Sequence, residues 1–408
     1  MFNIFFILII VIILFDHVVG LVLDHLNSLM WSETVPAQLK GIVEDEKYKQ
    51  SQNYYRQNTR FGNISSSIYL ALILAVLFSE GFAFIDDLAR SVSENDIIIT
   101  LLFFGILGVV SSIFSIPFSL YGTFVIEQKF GFNKTSRKTF FTDILKGWML
   151  AVLIGGPLIA LITWIYYKTG DMFWIYVWMV ISGFSVFMNM FYSELIVPLF
   201  NKQKPLEEGE LRTAIEAMSE NAGFKLANIF TIDGSKRSTK ANAYFSGLGR
   251  KKRIVLYDTL SDDLSNDEIV AVLAHEIGHY KKKHTLLMLI SGILQTGLML
   301  YLFSILASNE SLSLALGSET PSFHLSLLAF GLLYSPVSTI IGLLMNYLSR
   351  KYEYSADSFA KGIYSGEKLA SSLKKLSVKN LSNMLPHPVY VFFSYSHPPL
   401  LERLKALG

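Results

Sequence analysis

Apolar residues run through this chain in long blocks separated by short polar segments. Seven blocks stand out, at residues 2–23, 67–85, 97–121, 147–167, 173–197, 285–307 and 323–348. A bilayer core of about 30 Å needs about 20 apolar residues as helix, so each block predicts a transmembrane helix. The first block carries Asp16 and His17, and its alternative reading is a signal peptide. No Lys or Arg precedes Lys40 and no small-residue cleavage pattern follows, which favours a retained helix. Pro117 and Pro336 fall inside the third and seventh blocks. Neighbouring membrane helices satisfy the backbone groups that proline frees.

The connecting segments alternate in basic charge. Residues 24–66 carry Lys40, Lys47, Lys49, Arg56 and Arg60, and residues 122–146 carry Lys129, Lys134, Arg137, Lys138 and Lys146. Segments 86–96 and 168–172 carry only Arg90 and Lys168, and 308–322 carries neither Lys nor Arg. Positive loops stay in the cytoplasm. This alternation places the N-terminus outside and the C-terminus inside, and it requires an odd number of spans. The polar stretches 198–284 and 349–408 then lie in the cytoplasm. The chain divides into a membrane domain of five helices (1–197) and a second domain (198–408) holding two more.

Within 198–284 the pattern shortens. Residues 208–221 read as a helix closed near Gly223. Residues 229–232, 243–246 and 253–257 read as strands, with turn signals at Asp233-Gly234 and at 247–249. Ser265 and Glu268 fit a capping box that opens a helix running to His284. The expected fold is a mainly α integral membrane protein, with seven transmembrane helices and a small cytoplasmic α+β unit.

Composition agrees with this picture. Of 408 residues, 51% are hydrophobic and 17% charged, against roughly 25% charged in soluble domains. A net charge of +2 supplies no bulk attraction for nucleic acid. With no cysteine, disulfides and thiolate metal sites are excluded, so any metal is held by His, Asp or Glu.

Such a set exists. His275-Glu276-Ile277-Gly278-His279 is an H-E-x-x-H segment. Residues four apart share a helix face, so both imidazoles can point at one ion while Glu276 is placed to take a proton from the attacking water. Zinc is the expected ion, because it accepts nitrogen and oxygen ligands and keeps one position open in catalytic sites. The bland alternative is two solvated histidines beside Lys281–Lys283. A third ligand is expected downstream. Glu353 and Asp357 lie four apart beyond the seventh block, Glu353 to ligate and Asp357 to accept the free N–H of a ligand histidine; the alternative is an ordinary charged juxtamembrane helix. His397, before Pro398-Pro399, is either an oxyanion donor or an exposed turn histidine. Asn242-Ala243-Tyr244 lies on a strand that, at a sheet edge beside the metal, would pair an extended substrate; the alternative is an ordinary core strand with a turn Asn.

Together these residues resemble the CAAX prenyl protease 1 family of seven-span zinc metalloproteases. The resemblance extends over most of the chain, through segments 130–134, 198–202, 233–238, 242–245, 275–279, 349–357 and 395–404. It implies zinc held by His275, His279 and Glu353 in a gluzincin-like unit. Glu276 becomes general base and proton donor, Asp357 the partner of a ligand histidine, and His397 the transition-state stabiliser. Asn242, Ala243 and Tyr244 hold substrate backbone, and Arg350 plays a supporting part. It further implies helices enclosing a water-filled chamber, and C-terminal C-a-a-X substrates cut after a prenylated cysteine. Lys240, Tyr280 and Ser394 depart from the family's usual His, Trp and His. Segment 385–388 and the compact tail look more like bacterial members, which predicts a bacterial inner membrane with the site facing the cytoplasm, or the endoplasmic reticulum in a eukaryote. The substrate is then a peptide or protein, prenylated or not, met at the lipid bilayer. No oligomeric state is assigned. A quality-control membrane zinc protease would share the metal site but generally has fewer spans. A seven-span transporter, receptor or inactive scaffold would draw on Asp16, Glu80 and Glu127, and the intact H-E-x-x-H argues against it.

Overall fold

The structure is a computed structural model that describes residues 3–224, 229–247 and 253–408. The first two residues of the chain lie outside that description, and so does the turn expected at 247–249 beyond Gly247. The first half folds as α1 (Ile4–Ser28), α2 (Asp45–Phe78), α3 (Gly81–Val92), α4 (Asp96–Tyr121), α5 (Arg137–Leu150), α6 (Gly156–Thr169) and α7 (Phe173–Leu195). Their starts are written locally. The side chains of Asn3, Asn95 and Ser136 each accept a backbone N–H in the first turn of α1, α4 and α5, which satisfies donors a helix leaves orphaned. A π-turn, Gly122–Glu127, prolongs α4 beyond Pro117, and a second joins α5 to α6.

After α8 (Val197–Phe200) come β1 (Gln203–Pro205), α9 (Glu210–Asn221), β2 (Ile229–Ile232), β3 (Ala243–Ser246), β4 (Arg253–Tyr257) and α10 (Asn266–Lys281). The sheet order is β1-β2-β4-β3, parallel between β2 and β4 and antiparallel elsewhere, so among the described residues β3 has a free edge. The three-residue β1 carries no signal in its sequence. The Ser265–Glu268 capping box is formed at the start of α10. Ile254, Leu256, Ile269, Leu273 and Ile277 build the core between sheet and α10, where α9 and α15 (Gly366–Lys379) also pack. Sheet and helices together make a small α+β unit.

The remaining helices are α11 (His284–Leu306), α12 (Ser311–Ala315), α13 (Phe323–Leu333), α14 (Ser335–Ile363), α16 (Pro388–Ser394) and α17 (Leu400–Leu407). α11 packs on α7, and α13 on α1 and α4. Among the described residues, five helical segments are long and apolar enough to cross a membrane, or six if the pair α13 and α14, bent by 54°, is one span. Two expected blocks are therefore broken. The 67–85 block stops at Phe78, because Glu80 takes the left-handed conformation (φ 56°) and the chain restarts as α3. The 323–348 block bends at Tyr334, with Pro336 in the first turn of α14, where its missing N–H breaks no helical bond. Large apolar side chains stay uncovered, Phe15 at 63%, Val152 at 71% and Ile340 at 69% exposure. Surfaces of that kind belong against lipid rather than water.

Candidate active site

Close helix packing assembles the site. α10 carries His275, Glu276 and His279, and α14 carries Glu353 and Asp357. The two helices touch at Gly278, where a Cβ would lie 3.1 Å from Phe359 Cδ1 and 3.2 Å from the Ala356 backbone. A side chain there would hold the helices apart. Gly278→Ala is therefore expected to destabilise the protein by about 1–3 kcal/mol and to weaken metal retention. Thermal unfolding and metal analysis of the purified variant check both.

The ligand atoms of three residues converge. The Nε2 atoms of His275 and His279 are 3.1 Å apart. Glu353 Oε2 lies 3.4 Å from His275 Nε2, and its Oε1 lies 3.2 Å from His279 Nε2. A tetrahedral ion with bonds of 2.0–2.1 Å has ligand–ligand edges of about 3.3 Å, so the spacing fits a single small cation. The set, all nitrogen and oxygen, is compatible with the metals that use such donors.

The outer partners are built in. His275 Nδ1 bonds Asp357 Oδ1 at 2.8 Å, leaving Nε2 free to ligate. Asp357 in turn receives two bonds from Arg403, Nε to Oδ2 at 2.8 Å and Nη2 to Oδ1 at 2.5 Å. Arg403 Nη1 also lies 3.3 Å from Glu353 Oε2. On the other ligand, His279 Nδ1 meets His284 Nδ1 at 3.2 Å, and His284 stacks on Tyr352 with ring centroids 4.2 Å apart. Lys283, left-handed at φ 60°, ends α10 and turns the chain into α11 just before His284. Burial opposes charge on His275, yet the hydrogen bonds to Asp357 and Glu353 outweigh it and hold its pKa up at about 9. Burial raises the Glu276 carboxyl above the usual carboxylate range, with the imidazoles of His275 and His279 opposing.

A cavity of about 400 Å³ opens over this cluster, lined by His275, Glu276, His279, Glu353 and His397 and by Asn242 and Ala243 at the β3 edge. His397 Nε2 is 3.4 Å from Glu353 Oε1. Arg350 stands apart from the cluster and donates to the carbonyls of Val391 and Tyr395, bracing the segment that carries His397. The Tyr244 side chain faces away from the cluster, which leaves its backbone as the part at the β3 edge. Strand alternation turns its side chain from the cavity that Ala243 lines, and its hydroxyl meets Ser193 of α7 at 3.4 Å.

Sequence reasoning gave no part to Arg403, His284 or Lys240. Arg403 is a lone, buried cation in the short helix α17, and such a residue signals a buried anion. Lys240 Nζ donates to Glu127 Oε2 and to the Tyr54 hydroxyl, each at 2.9 Å. Thr239 N bonds Phe132 O beside it, so the run leading into β3 is strapped to the membrane helices.

Residues 205–408 match the family described as Peptidase family M48, and residues 25–202 match the CAAX prenyl protease N-terminal family of five membrane helices. The fold and the site are those of a membrane metalloprotease. CAAX prenyl protease 1 of Saccharomyces cerevisiae is 37% identical over 403 residues, covering 92% of this chain and 89% of that protein. A CAAX prenyl protease 1 homolog of Oryza sativa subsp. japonica is 37% identical over 382 residues, covering 92% and 90%. The crystal structure of S. mikatae Ste24p matches over all of both chains with a TM-score of 0.95 at 35% identity. The chain belongs to the CAAX prenyl protease 1 family.

Proposed function

We propose that this protein is a zinc endopeptidase that hydrolyses a peptide bond near the C-terminus of CAAX-type substrates, prenylated on the cysteine. His275, His279 and Glu353 hold the ion. When bound, the zinc supplies Lewis acidity toward water and the scissile carbonyl. Glu276 removes the proton of the attacking water and returns it to the leaving amine. His397 donates to the oxyanion, and Arg350 keeps its segment in place. Asp357 fixes His275 in the tautomer that ligates through Nε2. The substrate adds to the free edge of β3 as an extended strand, with Asn242 and the backbone of Ala243 and Tyr244 as its partners. One observation carries this reading: ligand atoms of His275, His279 and Glu353, 3.1–3.4 Å apart, share a cavity with the Glu276 carboxylate and the outer edge of β3.

The membrane topology we propose has seven spans. The run Arg137–Phe200 holds 64 residues, which as one straight helix would reach about 96 Å, three times the bilayer core. Gly170 interrupts it (φ 53°), and α6 packs back on α7, so it supports two crossings. Counting the bent pair once, the total is seven, which agrees with the alternating loop charge. That charge favours a cytoplasmic site. We place the domain boundary between residues 197 and 198, within α8 and shortly before β1.

The test is cleavage, in detergent or liposomes, of a defined C-a-a-X peptide with and without an isoprenoid on its cysteine. Release of the C-terminal tripeptide that stops with a zinc chelator and resumes with zinc is the expected result, faster for the lipidated peptide. Chelator-insensitive release would end the zinc assignment. Equal rates on both peptides would end the prenyl assignment.

A further inference from the structure

Outside the cavity of the metal cluster, α2 changes character along its length. Its last charged residue is Arg60, and from Ile68 to Phe78 it carries only apolar and aromatic side chains. At that level a groove of about 950 Å³ lies between α2 and the C-terminal part of α1. Arg56 and Arg60, one turn apart, line one end. Leu21, Ile64 and Ile68 line the other, and they are 36%, 51% and 40% exposed, so no protein covers them.

The polar end is short of acceptors. Among the described residues neither guanidinium is paired with a carboxylate. Arg56 sits over the ring of Trp31 at 5.6 Å. The indole N–H of Trp31, which also lines the groove, is buried with no hydrogen-bond partner. Asp24 is the one carboxylate in the lining, so two arginines leave one positive charge in excess. An occupant must therefore bring an anion with several acceptor oxygens at one end and an alkyl chain at the other. A purely apolar occupant would leave three donors unmet. A small soluble anion would leave the apolar wall bare.

We propose that this groove holds an anionic glycerophospholipid. Its phosphate sits on Arg56, Arg60 and the Trp31 N–H, and its acyl chain lies along Leu21, Ile64 and Ile68. Guanidinium groups suit this task, because their forked donors match phosphate oxygens. The switch from polar to apolar on α2 puts both ends at the depths a lipid requires.

The experiment uses the full chain, purified in detergent and stripped of lipid, and native mass spectrometry of bound lipid. Phosphatidylglycerol and phosphatidylcholine with identical acyl chains are titrated in separate arms. The wild type is expected to bind phosphatidylglycerol at about tenfold lower concentration, a difference of about 1.4 kcal/mol. Arg56→Gln with Arg60→Gln should abolish that preference. Lys47→Gln with Lys49→Gln, which removes equal charge from the same helix, should keep it. Trp31→Phe keeps the ring and loses the donor, and should narrow the gap; it also serves if the double arginine variant does not fold. Equal binding of both lipids by the wild type overturns the proposal. So does a preference that survives loss of both arginines, or one that disappears in the lysine control. Displacement of phosphatidylglycerol by millimolar inorganic phosphate would mean that the site reads the anion alone, and would overturn it too.

Discussion

Glu276→Gln is expected to lower peptide hydrolysis by about 10³-fold while the protein retains its metal. The amide keeps the shape of the side chain and cannot take up a proton. Glu276 lines the cavity beside both imidazoles, yet the three atoms that converge belong to His275, His279 and Glu353. Its loss should therefore remove proton transfer and leave coordination intact. The raised pKa that burial gives its carboxyl suits a group that must both accept and release a proton. Turnover of a C-terminal peptide and metal content are measured on the same sample. Wild-type turnover would assign the base elsewhere; loss of turnover together with the metal would make Glu276 structural.

The spacing behind that expectation is legible in the sequence, and the reason is local. H-E-x-x-H sets its two ligands through helix periodicity alone, and Ser265 with Glu268 marks where that helix begins. The strands at 229–232, 243–246 and 253–257 announce themselves by apolar runs between turn residues. What escaped depends on distant partners. The left-handed Glu80 that ends α2 and the bend at Tyr334 lie inside unbroken apolar runs, so hydropathy reads straight through them. Arg403 is separated by 46 residues from Asp357 and by 128 from His275, and no short motif encodes that triangle. His284 follows His279 by five residues, off the helical repeat. Only the turn at Lys283 brings it back.

Arg403 also governs what removal of Glu353 will do. The two carboxylates on α14 face one guanidinium, and Arg403 spends its bidentate contact on Asp357. Asp357 is thus balanced by Arg403 and shared with His275 Nδ1, and Glu353 is the anion left to meet a dication. Glu353→Gln takes away that charge and leaves the Arg403 Nη1 group, 3.3 Å from the same oxygen, turned toward two imidazoles. A divalent ion would then enter against an uncompensated positive charge. Disturbing an outer partner typically weakens metal binding about 10–100-fold, the effect expected for Asp357→Asn. Glu353→Gln should exceed it, with metal lost on dialysis and hydrolysis lost with it. Breaking a buried pair on one side also costs about 3–5 kcal/mol, so the thermal midpoint should fall even in the absence of metal. Chelator competition on the two variants, read beside unfolding curves, distinguishes a ligand from a support. If Glu353→Gln held its metal as tightly as Asp357→Asn, the third ligand would have to be sought elsewhere in the cavity, and His397, at 3.4 Å from Glu353 Oε1, would be the first residue to replace.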